Sequence, residues 1–110
     1  MAKYADEKQA RADGFSIAHE PERHRFALLQ AAEGAADKVV GEAHYTLIGD
    51  DAIDFDHTVV DPGLRGTGLS GLLAERALTD EIVRGRKIHA SCWYIEGYLE
   101  RNPHLVSPQA

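Results

Sequence analysis

The feature that most constrains this chain is a strand that runs through a glycine-rich turn into an apolar helix, all between Ala52 and Leu73. Ala52 to Val60 alternates, with Ile53, Phe55, His57 and Val59 on one face and Asp54, Asp56 and Thr58 on the other. That is the period-two pattern of a half-buried strand. Asp61-Pro62-Gly63 ends it, because proline has no ladder donor and glycine permits a sharp reversal. From there Leu69, Leu72, Leu73, Ala77 and Ile82 recur at helical spacing, which predicts a helix from Leu69 to about Arg84. Gly66, Gly68 and Gly71 leave the backbone bare where that helix starts. Free N–H groups and the helix dipole favour an anion there, so a phosphate-bearing ligand is the natural expectation.

Several motifs compete for this loop. Gly66-Thr67-Gly68-Leu69-Ser70-Gly71 satisfies G-x-G-x-x-G, but a dinucleotide fold needs an acidic residue roughly 20 residues on and further parallel units. The next strand ends at Ala90-Ser91-Cys92, with too little chain after it to complete such a half. A P-loop fits worse, since Leu69 stands where the phosphate-binding lysine must be. A glycine-rich turn ahead of an ordinary helix is the plain alternative. Arg65, the strand before and the helix after weigh against it.

Arg65-x-x-Gly68-x-Ser70 resembles the Q/R-x-x-G-x-G/A motif of the GNAT superfamily of N-acetyltransferases. The runs HTVVDPGLRGTGLSGLLAERAL and CWYIEGYLERNP are similar to the small single-domain members of that family. The likeness covers most of Phe15 to Leu105, with Ser70 where Gly or Ala is usual. The resemblance implies acetyl-CoA as cosubstrate, its pyrophosphate held by the loop of Arg65, Gly66, Thr67, Gly68, Leu69 and Ser70. It implies a strand N–H at Val59 or Val60 that polarises the thioester carbonyl. It also implies Tyr98 as the acid for the departing thiolate, with Tyr94 one turn earlier as the alternative.

Acetyl transfer needs a neutral amine, a polarised carbonyl and a proton for the thiolate. His57 is a candidate base, since an ordinary imidazole titrates close to neutrality. Its place in the apolar stripe also suits a plain core histidine. Cys92 is the single thiol, at the junction of a strand and the final helix, where a helix N-terminus favours a thiolate. It could carry the acetyl group covalently, or be a small buried residue. Tyr98 could equally pack its ring in the core with the hydroxyl at the edge.

Composition narrows the field. At 110 residues, 44% hydrophobic and 27% charged, the chain makes one globular domain. The net charge of −6 argues against nucleic acid, which calls for a basic stripe, and weakly favours a cationic partner such as an amine. Six histidines form no metal-ligand spacing, so no metal is expected. No apolar run reaches a membrane span and Met1 to Glu7 is no secretory leader, so a cytoplasmic protein that avoids membranes is expected. A lone cysteine agrees with a reducing compartment. A monomer is plausible, and nothing in the sequence fixes the oligomeric state.

Taken in order, residues 1–14 form a polar extension that is either a short helix ended by Gly14 or loose chain. Residues 15–105 form the GNAT-like domain and 106–110 a tail. Strands are predicted at Phe15 to His19, Arg23 to Gln30, Val39 to Ile48, with Val39, Ala43, Tyr45 and Leu47 on one face, and Ala52 to Val60. They make an antiparallel meander. The helix from Leu69 crosses to a parallel strand at Arg86 to Ser91, and Trp93 to Arg101 closes the chain as a helix before Asn102-Pro103. The fold class is α/β (α+β), a mixed sheet ending in a β-α-β unit and a C-terminal helix. The leading reading is acetyl transfer to a primary amine of a small molecule or protein. The alternatives are a coenzyme A-binding sensor without efficient transfer and a nucleotide-binding module.

Overall fold

Alternation along the sequence becomes strand pairing in the structure. The computed structural model describes residues 3–105, ordered as α1 (Glu7–Ala12), β1 (Phe15–Glu20), β2 (Arg25–Gln30), β3 (Lys38–Ile48), β4 (Ala52–Val60), α2 (Leu69–Thr79), β5 (Lys87–His89) and α3 (Trp93–Arg101). The five strands lie in sequence order in one sheet. β1 to β4 pair antiparallel and β5 joins β4 in parallel. The mixed sheet and closing helix expected from periodicity are therefore present.

Two bulges decide which side chains face the core. In β3, Leu28 pairs with Gly41 and Leu29 with Val39, so Val40 is an extra residue. In β4, His44 pairs with His57 but Tyr45 with Phe55, so Asp56 is extra. Each extra residue reverses the alternation beyond it. Val39 is consequently 43% exposed while Val40 is buried, and Val59 is 48% exposed while Ile53 and Phe55 are sealed. His57 is likewise exposed. The expected inward stripes of Ile53, Phe55, His57 and Val59, and of Val39 with Ala43 and Tyr45, each break at their bulge. Asp54 and Asp56 are both engaged by side chains or backbone of other segments. Asp54 accepts hydrogen bonds from Ser91 N–H and Oγ at 2.9 and 2.6 Å, and Asp56 is held by His44 and Thr46.

The core lies between the sheet and the helices. Phe26, Leu28, Tyr45, Ile53 and Phe55 meet Leu69, Leu73 and Leu78 of α2 and Ile95 of α3, all fully buried. α2 ends earlier than its apolar spacing predicts. Asp80 adopts extended backbone and its carboxylate accepts the Ile82 N–H at 3.1 Å, so Glu81–Val83 form a separate turn. β5 is also shorter than expected, three residues.

All three helices occupy one side of the sheet. Tyr94 of α3 reaches Ser70 of α2, and α1 is tied to α2 by Glu7 and Arg76 at 2.9 Å. The polar N-terminal segment is thus part of the packing. Asp6 caps α1 through the Gln9 N–H, Tyr4 is 6% exposed and packs on Phe15, and its N–H donates to Thr67 O at 2.9 Å. That last bond braces the glycine loop. The opposite face of the sheet carries Arg25, Glu42, His44, Thr46 and Asp56, linked by side-chain hydrogen bonds, and none of the three helices covers it.

Candidate active site

β4 and β5 pair only from Ala52↔Lys87 to Asp54↔His89. One further bond, from Cys92 N–H to Phe55 O at 3.0 Å, fixes the start of α3. Beyond it the strands part, and a cleft of about 370 Å³ opens, lined by Thr58, Val59, Val60, Asp61, Leu64, Arg65, Ser70, Trp93 and Tyr94. The backbone edge of β4 faces this opening. Asp61 N–H bonds Val40 O on the β3 side, so alternation turns the backbone groups of Val60 and Thr58 toward the parted edge. Of the two residues expected to polarise a carbonyl, it is Val60 whose N–H has that direction.

The glycine loop closes one end of the cleft. Asp61 accepts the Gly63 N–H at 2.9 Å and starts the turn Pro62–Leu64. Gly66 and Gly68 have φ of 79° and 86°, a left-handed conformation in which a Cβ is strained. Gly68 is the N-cap of α2 and offers no side-chain cap. The Thr67 hydroxyl donates to Leu64 O at 2.6 Å and accepts the Leu69 N–H at 3.3 Å, so it meets one donor of the helix head. The remaining N–H groups at the head of this eleven-residue helix, with the exposed Arg65 at the cleft, give a local field that favours negative charge.

One atom in the cleft is out of balance. The Thr58 hydroxyl is buried and has no hydrogen-bond partner among the described residues. A buried polar group without a partner costs about 1–3 kcal/mol, and this oxygen is sealed from solvent although the residue lines the cleft.

Sequence reasoning brought Val59, Val60, Arg65 and Ser70 together, and the structure gathers them at this cleft. Cys92 is buried at 9% exposure and is the N-cap of α3, directly before the lining residue Trp93. Tyr94 lines the cleft and its hydroxyl donates to Ser70 Oγ at 3.2 Å. Tyr98 stacks on Tyr94 at 6.4 Å and lies over Gly71, whose notional Cβ would be 3.7 Å from its ring. Burial, then the charge of Glu75 and the neighbouring Tyr94, push the Tyr98 hydroxyl above its ordinary pKa. Sequence reasoning missed Thr58, Asp61, Leu64 and Trp93 as lining residues. Thr58 was hidden because unbroken alternation places it on the wrong face. Trp93, 82% exposed, carried a signal as an aromatic at the head of a helix.

A family model described as GCN5-related N-acetyl-transferase matches residues 25–107. The chain belongs to that family. Curated relatives agree with it. Protein NATD1 of Homo sapiens is 33% identical over 90 residues, covering 82% of this chain and 78% of that protein. Protein NATD1 of Danio rerio is 31% identical over 88 residues, covering 80% and 76%, and that of Mus musculus 32% over 87 residues, covering 79% and 76%. Among the described residues no helix is long and apolar enough to cross a membrane.

Proposed function

We propose that the protein transfers the acetyl group of acetyl-CoA to a primary amine of a small molecule or protein. The observation that carries this reading is the cleft where β4 parts from β5, whose far end is a glycine-headed helix beside Arg65. A ligand with an anionic end and an extended arm that can pair with a strand edge suits both features. Arg65 and the N–H groups of Gly66, Gly68 and Ser70 would hold the pyrophosphate, while those of Thr67 and Leu69 are engaged within the loop, and Val60 would meet the arm. The acetyl thioester supplies the activated carbonyl, which a backbone N–H such as that of Val60 can polarise.

For the thiolate's proton, the geometry favours Tyr94, whose hydroxyl is in the cleft, with Tyr98 stacked behind it. Cys92 borders the same region through Trp93 and remains the alternative acyl carrier. His57 stands exposed at the bulge, away from the apolar core. A reducing, cytoplasmic setting is the compartment that suits the single thiol. The test is a calorimetric titration with acetyl-CoA, ATP and NAD, followed by thiol release in the presence of amines. Binding of acetyl-CoA alone, with amine-dependent thiol release, supports transfer. Binding without release leaves a coenzyme A-binding module, and preference for ATP or NAD overturns the reading.

A further inference from the structure

The open face of the sheet carries a polar cluster that the cofactor cleft does not use. His44 Nδ1 and Asp56 Oδ1 are 2.8 Å apart, and Thr46 Oγ1 donates to Asp56 Oδ2 at 2.6 Å. Burial pushes the Asp56 carboxyl up, but the hydrogen bonds from Thr46 and His44 outweigh it and hold it below the ordinary range. An ionised carboxylate only accepts, so Nδ1 of His44 carries the proton. In neutral imidazole Nε2 then bears a lone pair, and no hydrogen bond to Nε2 occurs among the described residues. The side chains are 37% and 30% exposed, so the ring is accessible as well as anchored.

Position makes this pair more than a surface ornament. Asp56 is the extra residue of the β4 bulge, and His44 pairs with His57, the next residue. Thr58 follows, and it lines the cleft from the helix side. The bulge therefore sets a fixed imidazole on one face of β4 close to where the cleft opens on the other. The register partners of His44 lie on both flanking strands. Arg25 is its register partner on β2 and is itself held by Glu20 and Glu42. Asp56 and His57 come from β4, Glu42 and Thr46 from β3 itself, and none of the helices packs here. Arg25 is neutralised by its two carboxylates, and Asp56 is spent on Nδ1.

We propose that His44, oriented by Asp56 and Thr46, takes the ammonium proton of the acceptor, which arrives on the open face of the sheet. The proton passes from R–NH₃⁺ to Nε2, and the freed nitrogen pair attacks the thioester carbonyl. As the C–N bond forms and the C–S bond breaks, Tyr94 gives its hydroxyl proton to the departing sulfur, and the second proton lost by the nitrogen restores that hydroxyl by way of water. His44 then returns its proton to water. His44 is catalytic in this scheme, and Asp56 and Thr46 are positioning residues. The inference rests on the transfer reading above and deepens it by naming the base and the side of approach.

The experiment compares the full chain with His44→Gln, His44→Ala and Asp56→Asn. Thiol release is followed with acetyl-CoA and spermidine, a lysine-rich peptide and phenethylamine, and acetyl-CoA affinity is followed by calorimetry. Expected is a loss of about 100-fold or more in kcat/KM for His44→Gln, in the range for a general base, with coenzyme affinity unchanged. The acid limb of the pH profile should vanish with it, and added imidazole should restore part of the turnover of His44→Ala. Long-range ¹H–¹⁵N NMR reads the tautomer without any turnover: Nδ1 protonated in the wild type, and Nε2 protonated in Asp56→Asn, whose amide can donate to Nδ1. Should a His44 variant fail to fold, Asp56→Asn and its tautomer carry the test. Wild-type turnover and pH profile in His44→Gln, or Nε2 protonated in the wild type, overturn the role of His44 while leaving transfer standing. Coenzyme binding with no thiol release from any amine removes transfer and this inference together.

Discussion

Thr58 is where a single atom carries the most information. Its hydroxyl is buried without a partner, so replacing it with the near-isosteric valine removes an unmet group and keeps the volume. Thr58→Val should leave the protein as stable or more stable by about 1 kcal/mol, with acetyl-CoA affinity unchanged because the hydroxyl is sealed from the cleft. A melting curve and a titration check the two halves, and a fall in stability with affinity unchanged would mean the hydroxyl serves the fold. Tyr94 and Tyr98 separate in the same way. Tyr94→Phe should lower turnover more than Tyr98→Phe, because only the Tyr94 hydroxyl lines the cleft; the opposite order, measured at saturating acetyl-CoA, would make Tyr98 the acid.

Among the elements, the turn into α2 does most for the site. Gly68 has φ of 86° and caps the helix, so a branched side chain there is strained and also crowds the helix head. Gly68→Val should abolish acetyl-CoA binding, and Arg65→Ala, at an exposed residue, should weaken it by about 1.5–3 kcal/mol, the range for a hydrogen bond to a charged group. Unchanged affinity in both would move the anion away from this loop. The head of α3 offers a second reading of the cleft. Cys92 is the N-cap of α3 and its N–H is tied to Phe55 O, next to Trp93 on the lining. Iodoacetamide should label Cys92 faster in the free protein than with acetyl-CoA bound; equal rates would place the thiol outside the site.

At the scale of the whole molecule, the helices cover one face of the sheet and leave the other to a hydrogen-bonded polar network. That network makes stability depend on pH. Asp56 has a depressed pKa in the folded state, so its contribution is fully present above the unfolded carboxylate pKa and is lost as pH falls through the lower folded value. Melting temperature should therefore drop on acidification below the ordinary carboxylate range, and Asp56→Asn should be less stable than wild type at neutral pH and flatten part of that drop. An identical acid response in the variant would show that Asp56 contributes nothing to it. α1 belongs to the same whole, since Tyr4 ties the N-terminal segment both to Phe15 and to the glycine loop at Thr67.

Local patterning was enough for much of this. The bounds of β4 and α3 follow from alternation over Ala52 to Val60 and from the helical run Trp93 to Arg101, and the order of strands follows from their short connections. The loop of Arg65 to Ser70 was legible because bare glycines at a helix head have a physical meaning wherever they occur. What the sequence could not express is register. A bulge is one residue left unpaired against a neighbouring strand, and nothing in the alternation of Ile53, Phe55, His57 and Val59 marks Asp56 as that residue. The early end of α2 was hidden likewise, because Asp80 competes for the backbone through its own side chain. Sequence determined which segments are strands and helices and where the glycine turn enters a helix. Only the tertiary structure, by pairing β4 against β3 and parting it from β5, decided which face each side chain takes, and so put Thr58 in the cleft and His44 beside Asp56.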